Sequence, residues 1–227
     1  MALSFGPDPD QEWRRRPRSA LLVDVTRDVA TQLAEVSDVD GVVITHGHRD
    51  ASAGVPALRD ALGDGPPVTV AASPQTLQVL RGRDGRLEHI APREVEPGEQ
   101  VQLASWTLTA IDVPHADRPR FRTYASRLAS SGRCIVYASD VGELTDGLRD
   151  LATGVDLLIL DGAMSRRSIF SHLRIEQAVP IVCGWDVARI LLTQIGRTAP
   201  PHEELEGIVS DLCPRAAPAY DGMTVEL

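Results

Sequence analysis

Short continuous apolar runs alternate with apolar residues three or four apart along the first third of the chain, which predicts buried strands separated by helices. Ala20-Leu21-Leu22-Val23-Asp24-Val25 reads as a strand, with Val29, Leu33 and Val36 as the buried face of a helix after it. Gly41-Val42-Val43-Ile44-Thr45 is a second strand, short and β-branched, and it runs into the polar stretch His46-Gly47-His48-Arg49-Asp50. A helix through Val55, Leu58 and Leu62, a strand at Val68-Thr69-Val70 and a helix with Leu77 and Leu80 opened by Ser73-Pro74 complete a β-α-β-α-β-α order. After Gly85 the period shortens to two. Val101 to Leu103, Leu108 to Ile111, Tyr124 to Ala129 and Cys134 to Tyr137 read as strands, the last two joined by a hairpin turn at Ser130-Ser131-Gly132. Helical spacing returns at Leu144 to Leu151, Ile175 to Val182 and Glu203 to Leu212, with apolar strands at Asp156 to Leu160 and Arg189 to Thr193 between them. Residues 1–18, with three prolines and Arg14-Arg15-Arg16, have no periodicity and read as an N-terminal tail or arm ahead of a single α/β domain over 19–227.

Composition narrows the chemistry. All 23 basic residues are arginine, and lysine and asparagine are absent, which excludes a Schiff-base lysine, a Walker lysine and an N-glycosylation acceptor. A net charge of -9 repels phosphate backbones and anionic lipid, so neither nucleic acid nor a membrane is expected as a partner. The apolar runs, such as Leu157 to Leu160, fall far short of a bilayer span, and no apolar signal segment follows Met1. A cytoplasmic protein is the expectation. Cys134, Cys183 and Cys213 are odd in number and widely spaced, and read as unpaired small hydrophobes.

Five polar residues stand just past the ends of these strands: His46, His48, His115, Asp140 and Asp161. Strand ends are where α/β folds gather catalytic groups. A His-x-His pair in an extended loop lets two imidazoles converge on one ion, and a third histidine with a carboxylate completes a zinc site with room for water. His89 and His202, in charged surroundings, carry no such expectation.

Thr45-His46-Gly47-His48-Arg49-Asp50-Ala51 followed by Gly54-Val55-Pro56-Ala57-Leu58 resembles the THxHxDHxxGLPxL signature of the metallo-β-lactamase fold. Val113-Pro114-His115 resembles that fold's third histidine motif, and Tyr137 to Gly142 its bridging-aspartate motif. Asp156 to Gly162, Ser171 to Ala178, Thr193 to Thr198 and Ala219 to Met223 are similar to the subfamily of the carbon-phosphorus lyase phosphodiesterase and the pyrroloquinoline quinone synthesis B protein. The resemblance implies a four-layer αββα sandwich. The family's first N-terminal strand is missing, which leaves a sheet edge open and makes a homodimer the expected assembly.

The resemblance also implies a ligand set. His46, His48, His115 and Asp140 take the first-metal positions, whereas two histidines of the second site are Ala51 and Gln194 here. One divalent metal is therefore expected, zinc first, with iron or manganese suiting the same donors. Asp50 is either a general base or the partner that orients His48. Arg49, Arg197 and Gln194 flank or occupy the lost ligand positions and are expected to face an anionic substrate, and His172 matches a substrate-facing histidine of phosphodiesterases of this fold. Asp161 is equally a structural carboxylate or a catalytic one. The implied activity is a metal-dependent hydrolase of a small phosphodiester or related anionic ester. A mononuclear lyase, isomerase or oxygenase of secondary metabolism, and a catalytically silent binding subunit, are the competing readings.

Overall fold

A computed structural model describes residues 2–3, 20–36, 38–63, 65–85, 87–115, 122–163 and 171–227. They fall into two compact units: the first holds those up to Leu108 together with Arg122, the second Thr109 to His115 and those from Thr123 onward.

The first unit opens with β1 (Ala2–Leu3), β2 (Ala20–Val23), α1 (Val29–Gln32), β3 (Val39–Val43), α2 (Arg49–Ser52) and α3 (Leu58–Leu62). It continues through β4 (Val68–Ala72), α4 (Pro74–Asp84), β5 (Ile90–Glu94), β6 (Gln100–Leu103) and into β7 (Trp106–Asp112). Its sheet runs β1-β2-β3-β4-β5, with β2 to β5 parallel, the order that β-α-β crossovers produce. Leu22, Val42 and Val70 meet Val29, Leu58, Leu77 and Leu80 in one core, so the helical apolar positions face the sheet as their spacing requires. Ser73 caps α4, accepting the Thr76 amide, with Pro74 at the first helical position. Gly54 is obligatory: a Cβ there would lie 1.9 Å from the Thr26 carbonyl oxygen.

The second unit contains the Thr109–Asp112 end of β7, then β8 (Tyr124–Ser130), β9 (Arg133–Ala138), α5 (Asp146–Ala152), β10 (Val155–Asp161), α6 (Ile175–Cys183), β11 (Val187–Thr193), α7 (His202–Leu212) and β12 (Ala216–Pro218). The strand order is β12-β11-β10-β9-β8-β7, with β9 to β12 parallel and β8 antiparallel to β9 through the Ser131-Gly132 turn. Both turn residues have positive φ, as a hairpin of this hand requires. The continuous apolar run of β10 is explained by burial on both faces, since Val155 and Leu157 to Leu160 are all inaccessible.

Two expectations are corrected and one strand is added. The edge of the first sheet is not left open at β2, because Ala2 and Leu3 pair antiparallel with Leu22 and Leu21; the rest of the expected arm lies outside the described residues. β5 was invisible to periodicity because only Ile90 is buried and a proline interrupts the run, which an edge strand tolerates. Cys183 and Cys213 are not unpaired. The end of α6 and the residue after α7 bring their Cα atoms to 5.7 Å and the sulfurs are bonded, a pairing hidden by a separation of 30 residues. Mass spectrometry without reductant is expected to find this disulfide and one free thiol, Cys134, and its reduction is expected to cost about 2–4 kcal/mol of unfolding free energy. Three titratable thiols in the native protein would contradict it. Among the described residues no helix is long and apolar enough to cross a membrane.

Candidate functional site

In the first unit the residue after β2, Asp24, holds a left-handed backbone, φ +57°, and turns its carboxylate toward the end of β3. The Thr45 amide donates to Asp24 Oδ1 at 2.8 Å, and Thr45 Oγ1 lies 3.0 Å from both carboxylate oxygens. That hydroxyl has one proton, which the carboxylate takes, so it accepts from His46 Nδ1 at 2.9 Å. The chain of bonds fixes the tautomer of fully buried His46 and turns its Nε2 into a lone-pair donor. Asp50 Oδ1 lies 3.9 Å from that Nε2, on a side chain 63% exposed. The His48 ring meets His46 edge to face, centroids 4.7 Å apart. Asp24 was not visible as a site residue in the sequence, where it looks like one polar interruption of an apolar run. Asp24→Asn is expected to weaken metal binding about 10- to 100-fold, read by competition with a chromogenic chelator. Unchanged affinity would remove Asp24 from the site.

The second unit holds the other half of the predicted residues. His115 follows β7, and its Nδ1 lies 2.8 Å from the Ser171 carbonyl, which only accepts, so Nδ1 carries the proton and Nε2 the lone pair. That Nε2 is 3.8 Å from Asp140 Oδ1. The other Asp140 oxygen accepts from Ser139 Oγ at 2.6 Å and from Gln194 Nε2 at 3.0 Å. Gln194 reaches it from a left-handed position, φ +59°, directly after β11; such strain costs on the order of 1–3 kcal/mol and persists where surroundings over-determine it. Two electron-rich atoms 3.8 Å apart fit around an ion about 2 Å from each, so the donors suit a divalent metal.

His172 stands three residues ahead of α6. Its Nδ1 lies 2.7 Å from Asp161 Oδ2, and its ring meets His115 edge to face at 5.1 Å. Donor atoms of His115, Asp140 and His172 lie within 4.8 Å of one another. Asp161 also accepts the Val141 and Ala163 amides, at 3.0 and 2.8 Å. Burial pushes the Asp161 carboxyl above the ordinary carboxylate range, against the pull of His172 and the two amides. Arg197 is exposed, and neither it nor Arg49 makes a side-chain hydrogen bond or ion pair among the described residues. His89 bonds the Val55 carbonyl at 2.9 Å and His202 packs on Tyr220, the structural roles expected of them.

Comparison with known proteins supplies the frame. The sequence profile of the Beta-lactamase superfamily domain matches residues 10–195. The chain belongs to that superfamily. Its fold is the metallo-β-lactamase fold, α/β with two sheets and helices. Ribonuclease Z of Bradyrhizobium sp. (strain ORS 278) is 25% identical, with 90% of each chain covered. Among solved structures, Zn(2+)-bound PqqB from Methylobacterium extorquens superposes with a TM-score of 0.78 at 18% identity, covering 92% of this chain and 84% of PqqB. A diphosphatase of the PhnP family gives the same TM-score at 23% identity, covering 92% of this chain and 82% of its own. The His/Asp groups of this superfamily member are suited to a divalent metal.

Proposed function

We propose that the protein is a mononuclear metallo-hydrolase of a small phosphodiester or related anionic ester, with one divalent ion, zinc first, on His46, His48, His115 and Asp140. The observation that carries the single ion is the Gln194 amide on Asp140. In the family a histidine stands at position 194 and the aspartate bridges two metals. Here the Asp140 oxygen turned from His115 accepts two hydrogen bonds, from Ser139 and Gln194, which would compete with a second ion for it. Ala51 removes the other imidazole. The hydrolytic half of the reading is supported by the superfamily and by relatives named as a ribonuclease and a diphosphatase.

When bound, the metal supplies a Lewis acid that polarises a phosphoryl oxygen and lowers a water's pKa to about 7. The remaining work falls to side chains. Asp50, exposed beside His46, is the carboxylate that takes the proton from the attacking water. His172 faces the substrate, and Asp161 beneath it fixes its Nδ1, which leaves Nε2 as the nitrogen that delivers a proton to the leaving oxygen. Arg49 and Arg197, whose guanidinium forks suit phosphate and carboxylate, are the residues that meet substrate charge in this reading. A small anionic substrate suits these arginines, and the net charge of -9 argues against nucleic acid and a membrane as partners.

A panel of chromogenic phosphodiesters, carboxylic esters and lactones, assayed as purified, after chelation and after metal is returned, tests the reading. Turnover of a phosphodiester that chelation abolishes and metal restores is expected. Metal without turnover of any ester would favour the lyase, isomerase or oxygenase alternative, which the Gln194 substitution also suits. Absence of bound metal would favour a silent binding subunit. Asp50→Asn separates its two roles: a fall in kcat at full metal content marks a base, and metal loss marks an orienting partner.

A further inference from the structure

Beside His48 the first unit has a groove of about 580 Å³ whose lining, apart from His48 and Arg49, the proposed chemistry does not use. One wall is the loop and helix start carrying His48 and Arg49; the other is the face of α4 presenting Gln75, Gln78, Gly82 and Arg83. Those positions recur at helical spacing on the side of α4 turned from its core residues Leu77 and Leu80, so the groove is written into one stripe of the helix.

Its chemistry is specific. The Gln75 side-chain amide oxygen is buried and accepts no hydrogen bond among the described residues, so turning that side chain outward to meet a donor in the groove gives up no bond of the oxygen. Arg83 is committed: it grips Asp84 at 2.6 Å and donates to the Ser52 hydroxyl and carbonyl at 3.0 and 2.8 Å, and Ser52 donates in turn to the His48 carbonyl at 2.6 Å. Arg49 is not committed to any acceptor among the described residues, and no carboxylate lines the cavity. Gly82 opens the floor, since a Cβ there meets nothing within 4 Å.

We propose that this groove is the subsite for the part of the substrate beyond the scissile ester, and that it takes a group bearing both a hydrogen-bond donor, hydroxyl or amide N–H, for Gln75 and an anionic oxygen for Arg49. The assignment rests on the hydrolase reading for its role and on the groove's own residues for its ligand. A substrate with a bare alkyl group in that place leaves Gln75 and Arg49 unmatched, so the groove selects by hydrogen bonding more than by size.

The test is equilibrium binding of thymidine 3′,5′-bisphosphate, which carries imide N–H and phosphate, by calorimetry on the protein as purified. Gly82→Phe fills the groove with a better helix former, and Gln75→Leu removes the acceptor at similar volume. Both are expected to weaken binding at least about tenfold, as is Arg49→Ala, while Gly207→Phe on exposed α7, where a Cβ also meets nothing within 4 Å, leaves it unchanged. Melting curves confirm that each variant is folded. Equal affinity in the native protein, Gly82→Phe and Gln75→Leu, or no binding by the native protein at millimolar probe, overturns the assignment. Binding needs no turnover, so the two failures separate: groove-dependent binding without hydrolysis of any diester defeats the functional reading alone, and hydrolysis with groove-independent binding defeats the subsite alone.

Discussion

His115→Ala is expected to purify without metal and to hydrolyse its phosphodiester about 10³-fold more slowly than the native protein. The size follows from what is removed. A bound metal contributes several kcal/mol by stabilising charge in the transition state, and about 4 kcal/mol corresponds to three decades of rate. The location follows from the geometry: His115 is oriented by the Ser171 carbonyl so that Nε2, not Nδ1, faces Asp140 at 3.8 Å. An alanine leaves that carbonyl without its donor as well, so the control is His115→Gln, which retains a donor in reach of Ser171 and still loses the imidazole. Both variants should fold, lose the ion and lose the rate together. Full metal content in a folded His115→Ala would exclude the histidine from the ligand set.

The second large effect is a gain. Ala51→His combined with Gln194→His is expected to raise the metal content by a second ion, because both positions align with family ligands while Asp50 and Asp140 remain to share it. Position 194 is ready for the change: histidine is among the residues that tolerate left-handed backbone, and the present side chain already reaches Asp140. Losing the glutamine amide removes one of the two donors on that Asp140 oxygen, leaving Ser139 alone on it. Asp50, drawn onto the new ion, ceases to be available as a base, so turnover of the native substrate falls while generic phosphodiesterase activity rises. Neither single change is expected to suffice. A folded double variant that still holds one ion would show that these side chains do not face a common metal.

The elements that were legible in the sequence are those whose burial writes a period. β2, β3, β4 and β10 are buried on both faces and read as apolar runs, and the helices pack one face on their sheet. β5 and β12 are short edge strands without that signature, and β1 is held by pairing with Leu21 and Leu22, not by its own pattern. Among the candidate residues, types with chemistry of their own were legible: His46 and His48 follow β3, His115 follows β7, Asp140 follows β9 and His172 precedes α6. The residues that tune them were not. Asp24, Thr45 and the Ser171 carbonyl act through tertiary hydrogen bonds across separations such as the 56 residues between His115 and Ser171, and no local pattern encodes those. Gln194 was legible as a departure from the motif the chain resembles, but its hydrogen bond to Asp140 required coordinates. The Cys183–Cys213 disulfide belongs to the same class, since only the packing of α6 on α7 brings those chain positions together.

One measurement bears most directly on the central claim, that this chain keeps one catalytic ion and has traded the second for a hydrogen bond. Elemental analysis of the native protein after gel filtration in metal-free buffer, divided by protein concentration, is predicted to give a ratio near one divalent ion per chain. A ratio near two would mean that Gln194 and Ala51 do not close the second site, and a ratio near zero would mean that His46, His48, His115 and Asp140 are not a metal centre.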